Sequence, residues 1–280
     1  MIINFSVEEA VIKRYSVRNY KDINVEREVI DEIKRFVNSL SNPFGKRINY
    51  HFLEKEDVNN RQGLGTYGVI KGAKQYIGTT IELESMALEA LGYELEVLML
   101  YLAHRDIGTC WLGGTFDRKG FAQSMNIGKN EIFPAITPYG YAASSKHLKE
   151  IAMRKMIKAD QRVKWDKIFF KDDFANPLRK EEAGSLQFPL EMVRLGPSAS
   201  NKQPWRIVLT DNLYHFYQYK EPNYSALFPY DIQRIDMGIA AAHFDLAVKE
   251  SGYKGKFDTK CDPGLKLPNH VEYAFTWLKD

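Results

Sequence analysis

The sequence predicts an α+β or mixed α/β fold built in two related halves, on three observations. Helical and strand-like segments alternate along the whole chain, no run of tandem hairpins is evident, and a long apolar helix with a glycine end occurs once in each half. With 280 residues, 44% apolar and 27% charged, the chain suits about two domain-sized units with sizeable cores. The expected halves are residues 1–165 and 166–280.

The elements follow in order. Ser6 with Glu9 reads as a capping box opening a short helix that ends near Arg14, where RYSVRNYKD breaks the helical pattern. A second helix is expected after Asn24, because Val29, Ile30, Ile33, Phe36, Val37 and Leu40 share one face; Asn42 and Pro43 end it. Ile48 to Leu53 and Gln75 to Thr80 are strand-like. From Ser85 to Arg105 a long helix carries a stripe of Leu88, Leu91, Leu95, Leu98 and Leu102, and stops at Asp106, Ile107 and Gly108. Pro134 to Ala142 has strand character, and a basic helix follows to about Lys158. RVKWDKIFFKDDFANPLRKEEAG is mixed, charged and irregular. Beyond it come a helix at Pro189 to Leu195, strands at Arg206 to Leu209 and Leu213 to Tyr219, a helix from Asp231 to Ser251 with Gly252 as its cap, and a closing strand at Tyr273 to Leu278.

Several function classes are disfavoured by composition. The densest apolar stretch, Leu95 to Ala103, is too short for a membrane span and is interrupted by Glu96. No secretory leader pattern opens the chain, so a cytoplasmic protein is expected. Cys110 and Cys261 form no CxxC pair and the six histidines do not cluster, which argues against a disulfide framework or a metal site. A net charge of +3 with interspersed signs does not call for nucleic acid. A small-molecule partner is expected instead.

Two segments carry candidate chemistry. KRYSVRNY, Lys13 to Tyr20, puts Arg14, Ser16 and Arg18 at alternate positions of an extended segment, so three polar side chains point one way. Guanidinium forks and a hydroxyl suit a phosphate or an electron-rich ring edge, and an ordinary solvated basic loop would look the same. GPSASNKQPW, Gly196 to Trp205, offers Ser198, Ser200, Asn201 and Gln203 between Pro197 and Pro204, a set suited to a planar, heteroatom-rich ring or to a plain hydrophilic turn. Cys110 reads as a buried structural thiol, and His104 as a favourable partner of a helix C-terminus. Tyr67 and Lys71, in GTYGVIKGA, either reach a ligand or belong to a glycine-permitted turn.

KRYSVRNY resembles the N-terminal motif of the nitroreductase-like flavoprotein family. GPSASNKQPW resembles that family's Pro-Ser-small-x-Asn-x-Gln-Pro-Trp loop, and DIGTCWLGG, Asp106 to Gly114, resembles the segment after its long central helix. With PYGYA and the basic stretch after it, these matches span most of residues 10 to 205. The resemblance implies an α+β nitroreductase-like fold, a mixed sheet with flanking helices, and one FMN reduced by NADH or NADPH. It implies that Arg14 and Ser16 hold the ribityl phosphate end of FMN and that Arg18 lies nearer the N1 and O2 edge. Gly113 and Gly114 would present amides near N5, with Pro197, Ser198, Ser200 and Asn201 as the complementary loop. Lys158 and Arg162 match the family's phosphate-binding basic pair only loosely. No catalytic triad is implied, and Arg14→Ala is expected to weaken FMN binding while the fold survives.

The motif order departs from the family. In an ordinary member the Pro-Ser loop follows soon after the arginine motif, and FMN sits at a homodimer interface. Here that early position reads SNPFGKR, Ser41 to Arg47, and the intact loop stands in the second half. DIQRIDMGIAAAHFDLAVKESGYKGK follows it and repeats the pattern of the first long helix, while the second half lacks an arginine motif and a GTCWLGG. The resemblance therefore implies a fused, internally duplicated pseudo-dimer, monomeric and holding one FMN per chain. Three functions stay open: an FMN-dependent NAD(P)H oxidoreductase acting on nitro, quinone or similar acceptors, a flavin-binding or flavin-processing protein, and a degenerate scaffold without cofactor.

Overall fold

The computed structural model describes residues 4–54 and 65–280. It forms two compact units: Met1–Ala87 with Glu94–Ala159, and Leu88–Tyr93 with Asp160–Asp280.

The first unit runs α1 (Val7–Lys13), α2 (Arg27–Ser39), β1 (Asn49–Glu54), β2 (Gln75–Glu82), α3 (Ala87–His104), β3 (Gly108–Thr109), α4 (Arg118–Ala122), β4 (Glu131–Gly140) and α5 (Leu148–Met156). The turns of α3 from Leu88 to Tyr93 belong to the second unit. Ser6 caps α1 by accepting from the Glu9 amide at 3.3 Å, as the capping pattern requires. The sheet order is β1-β2-β4-β3, antiparallel throughout. Flanked on both edges, β2 is buried from Gln75 to Ile81. The leucine stripe understates α3. Leu91, Leu95, Val97, Leu98, Met99, Leu100 and Leu102 are all fully buried, so the helix has an apolar circumference rather than one apolar face.

The second unit contains β5 (Phe169–Lys171), α6 (Gln187–Leu195), β6 (Trp205–Thr210), β7 (Leu213–Tyr219), α7 (Gln233–Glu250), β8 (Gly255–Asp258) and β9 (Val271–Lys279). Its sheet order is β5-β6-β7-β9-β8, with β5 parallel to β6 and the other pairs antiparallel. The sheet adds two details to the sequence reading. Strands β6 and β7 form a direct hairpin, its turn made possible by left-handed Asp211 at φ 52°. The segment read as irregular contains β5, whose three residues are too few to show a strand period.

The topology is repeated. One helix, two strands, a long helix and two strands occur as α2-β1-β2-α3-β3-β4 and again as α6-β6-β7-α7-β8-β9, leaving aside the short α4. The matching sheet orders are β1-β2-β4-β3 and β6-β7-β9-β8. Within the second unit, the early turns of α3 press against α7 backbone to backbone. A side chain at Gly92 would meet the Ile235 carbonyl oxygen at 2.1 Å, and one at Gly238 would meet that of Glu89 at 2.0 Å. Each glycine is the sixth residue of its helix. Among the described residues, no helix is long and apolar enough to cross a membrane.

Candidate functional site

In the first unit the arginine segment leaves α1 in extended conformation and is held by backbone bonds on both sides. Ser16 bridges Thr109 in parallel sense, and the Val17 amide donates to the Thr109 carbonyl at 2.9 Å. The Lys71 amide donates to the Arg18 carbonyl, and the Tyr20 amide to the Lys71 carbonyl, both at 2.9 Å. Lys71 therefore fixes this strip through its backbone. Val17 is buried against Gly108, where a Cβ would lie 2.6 Å from its side chain, so a glycine at the start of β3 is required by close approach.

Arg14 and Arg18 are both buried along their side chains. Arg14 lies 3.6 Å from Glu96, with side chains 7% and 0% exposed, and the Trp111 indole donates to the other Glu96 oxygen at 2.7 Å. Arg18 reaches the Ser16 carbonyl at 3.4 Å. The Nε groups of both arginines have no hydrogen-bond partner among the described residues. Cys110 is buried beside them. Burial pushes its thiol upward, and Arg18, a hydrogen bond from Ser16, and Arg14 only partly offset this, so it stays an unreactive thiol. Arg14→Ala takes from buried Glu96 the guanidinium that faces it, so the expected loss of ligand binding comes with a cost in stability.

Gly113 and Gly114 lie in the turn after Leu112. Arg118 braces this turn, donating to the Gly113 carbonyl at 2.6 Å and to the Phe133 carbonyl at 2.8 Å, with its guanidinium 5.0 Å from the Phe116 ring centroid. The amides of both glycines donate to nothing among the described residues. Lys158 sits exposed and left-handed, φ 50°, in the turn after α5, whereas Arg162 belongs to the second unit. Tyr67 is exposed and also left-handed, at φ 48°.

In the second unit the Ser198 to Gln203 loop is tightly crosslinked. The Ser198 hydroxyl accepts from the Gln203 amide at 2.8 Å, and the Ala199 amide donates to Asp236 Oδ1 at 3.0 Å. The Asn201 carboxamide donates to the Gln161 carbonyl at 3.0 Å and accepts from Arg162 at 3.4 Å and Gln203 at 3.2 Å. Arg162 also grips the Leu195 carbonyl, and Gln203 Oε1 accepts from the Val163 amide at 2.8 Å. The Tyr224 hydroxyl donates to Ser200 at 2.9 Å. Ser200, Asn201 and Gln203 all take left-handed φ, at 50°, 56° and 49°. Three strained residues that are not glycine persist only where neighbours over-determine them, and such strain concentrates at functional sites. Arg162 and Asn201, far apart as motifs, are thus direct neighbours.

Sequence reasoning missed Glu96 and Asp236. Glu96 was visible as the one charge in the most apolar stretch of the chain. Asp236 lay unremarked on a helix whose burial extends from Ile235 to Val248. Its carboxyl is pushed up to about 8, first by burial; the Ala199 hydrogen bond opposes this and Asp231 adds to it.

A family model described as "Putative TM nitroreductase" matches residues 6–248. The chain belongs to this nitroreductase family. A structure named "putative nitroreductase" from Thermotoga maritima is 18% identical and superposes with a TM-score of 0.62, covering 99% of this chain and 95% of that one, and so shares the nitroreductase fold. Smaller neighbours align over about half of the chain. A "Putative NADH Oxidase" from Clostridium acetobutylicum is 22% identical, with 50% of this chain and 90% of that one covered and a TM-score of 0.41. A "Nitroreductase with Bound FMN" from Bacteroides fragilis is 16% identical, with 52% and 92% covered and a TM-score of 0.43. Among curated proteins no relative matches.

Proposed function

We propose that this nitroreductase-family chain binds FMN and uses it for NAD(P)H-dependent, two-electron reduction of small electrophilic acceptors such as nitro compounds and quinones. The observation carrying the reading is the pair of buried guanidinium groups, Arg14 and Arg18, beside the Ser16 hydroxyl: Arg14 Nε faces Glu96 at 3.6 Å, beyond hydrogen-bond reach, and Arg18 Nε has no hydrogen-bond partner among the described residues. Buried donors without acceptors are costly, and an anionic ligand rich in oxygen would satisfy them. The residues present therefore fit the phosphate and electron-rich edge of a flavin nucleotide.

When bound, FMN would supply the two-electron carrier between a reduced nicotinamide and the acceptor. Arg14 and Ser16 would hold the phosphate end. Arg18 would stabilise negative charge that builds on reduction, and the Gly113 and Gly114 amides would offer fixed donors that need no reorganisation. Considered by itself, the second unit offers the hydroxyl and amide groups of Ser198, Ser200 and Asn201 to a flavin from a loop already locked in place. Cys110 is assigned no chemical step.

The test is anaerobic addition of NADH, then of NADPH, to FMN-loaded protein. Bleaching of the flavin band by either, with recovery on adding a quinone or nitroaromatic, is expected. A flavin band that neither nucleotide bleaches would replace this reading with flavin binding alone.

A further inference from the structure

Asp236 is the fourth residue of α7, 2% exposed, and directly beneath the Ser198 to Gln203 loop. Its Oδ1 accepts from the Ala199 amide at 3.0 Å, while its Oδ2 is buried with no hydrogen-bond partner among the described residues. Among the described residues no cation is bonded to it. Arg234, on the same helix, is paired with buried Glu89 at 2.8 Å. The other ionisable groups in its surroundings are Asp231 and Tyr224, and Asp231 itself accepts from Gln218, Ser225 and the Gln233 amide. The carboxyl thus links α7 to a loop whose backbone is left-handed at Ser200, Asn201 and Gln203.

We propose that Asp236 is a positioning residue for this loop, latching it through the Ala199 amide, and that the uncharged carboxyl is the form that latches it. A buried carboxylate with a single amide donor, no cation and an acidic neighbour is poorly solvated, whereas the neutral acid keeps the same acceptor oxygen without that penalty. Opening the loop exposes the group to water and returns it to ordinary acidity. Each unit of pH between the ordinary aspartate range and about 8 therefore favours opening by up to about tenfold, and the effect levels off above. The consequence for FMN rests on the flavin reading of the loop; the latch itself does not.

Hydrogen exchange by mass spectrometry on residues 196–204 of the flavin-free full chain tests the latch directly. Protection, corrected for intrinsic exchange, is expected to fall up to about tenfold per pH unit from pH 5 to 7.5 in the wild type. It should stay level in Asp236→Asn, which keeps the acceptor but cannot ionise. Parallel pH dependences in the two proteins would overturn the proposal. Asp236→Ala should lose protection at every pH, and FMN affinity should drop about tenfold in it while Asp236→Asn keeps wild-type affinity. Should Asp236→Ala fail to fold, the comparison of Asp236→Asn with wild type still decides. If the protection pattern holds but the wild type takes up no FMN, the latch stands and the flavin reading fails.

Discussion

The long helices α3 and α7 occupy the same place in the repeated topology, yet one buried carboxylate on α7, that of Asp236, is treated differently from those on α3. On α3, Glu96 has the Arg14 guanidinium and the Trp111 indole, and Glu94 accepts from Asn42 at 2.7 Å and from the Tyr50 hydroxyl at 3.3 Å. On α7, Asp245 accepts from the Tyr93 hydroxyl and from Lys249, whereas Asp236 has the Ala199 amide alone among the described residues. The loops entering β1 and β6 differ in parallel. In the first, Asn42 saturates its own carboxamide, accepting from the Phe44 and Lys46 amides and donating to Glu94 and the Lys46 carbonyl, and glycine takes the left-handed position at Gly45, φ 66°. In the second, three side-chain-bearing residues take that conformation. The first loop is satisfied by its own side chain and a glycine, while the second keeps strain and, on α7 beneath it, an under-satisfied carboxyl.

The largest expected effect breaks the compensated side of this comparison. Arg14→Ala should cost about 3–5 kcal/mol in urea unfolding, because it removes the guanidinium facing the buried Glu96 carboxylate. Adding Glu96→Gln should recover much of the loss, and equal losses in the single and double variants would show that the pair carries no coupling. Next, Asn42→Ala removes a donor from Glu94, whose carboxyl is already raised by burial, and should cost about 1–3 kcal/mol without changing FMN affinity. Asn201→Ala should do the reverse in emphasis, lowering FMN affinity by about tenfold. Flavin binding that responds to Asn42 and ignores Asn201 would invert the assignment of the two loops.

Smaller still, Gly45→Ala should cost about 1 kcal/mol, since nothing crowds a methyl group there and only the left-handed backbone resists it. The finest distinction is in pH. Because folding raises the Asp236 pKa, the neutral form stabilises the native state below the ordinary aspartate value, and that contribution is lost as pH rises through about 8. The stability of Asp236→Asn relative to wild type should therefore grow from about pH 4 and plateau near pH 8. A difference independent of pH would mean that the carboxyl ionises as readily as in the unfolded chain.

Much of this architecture was legible because local patterns and tertiary burial agree. The Ser6 cap, the α2 face, the two long helices and strand β7 all follow from spacing that folding did not override. What was not legible depends on partners distant in sequence. Strand β3 has two residues and exists only because it pairs with β4, and β5 has meaning only beside β6. Arg14 was readable as a cation but not as the partner of Glu96. The loop motif was readable as a donor set, but not that Asn201 spends its carboxamide on Gln161, Arg162 and Gln203. Nothing in local sequence marks Asp236 as different from any other acid on a helix. The part given to the arginine motif is tested by titrating Arg14→Lys with FMN, which should weaken binding.

The central claim, that this chain is a flavin enzyme of its family, meets its most direct test in the absorbance spectrum of the purified protein after reconstitution with FMN and gel filtration. The account predicts a retained flavin band, released on acid denaturation as FMN at one per chain. Protein that emerges colourless, or that retains FAD in place of FMN, would contradict it.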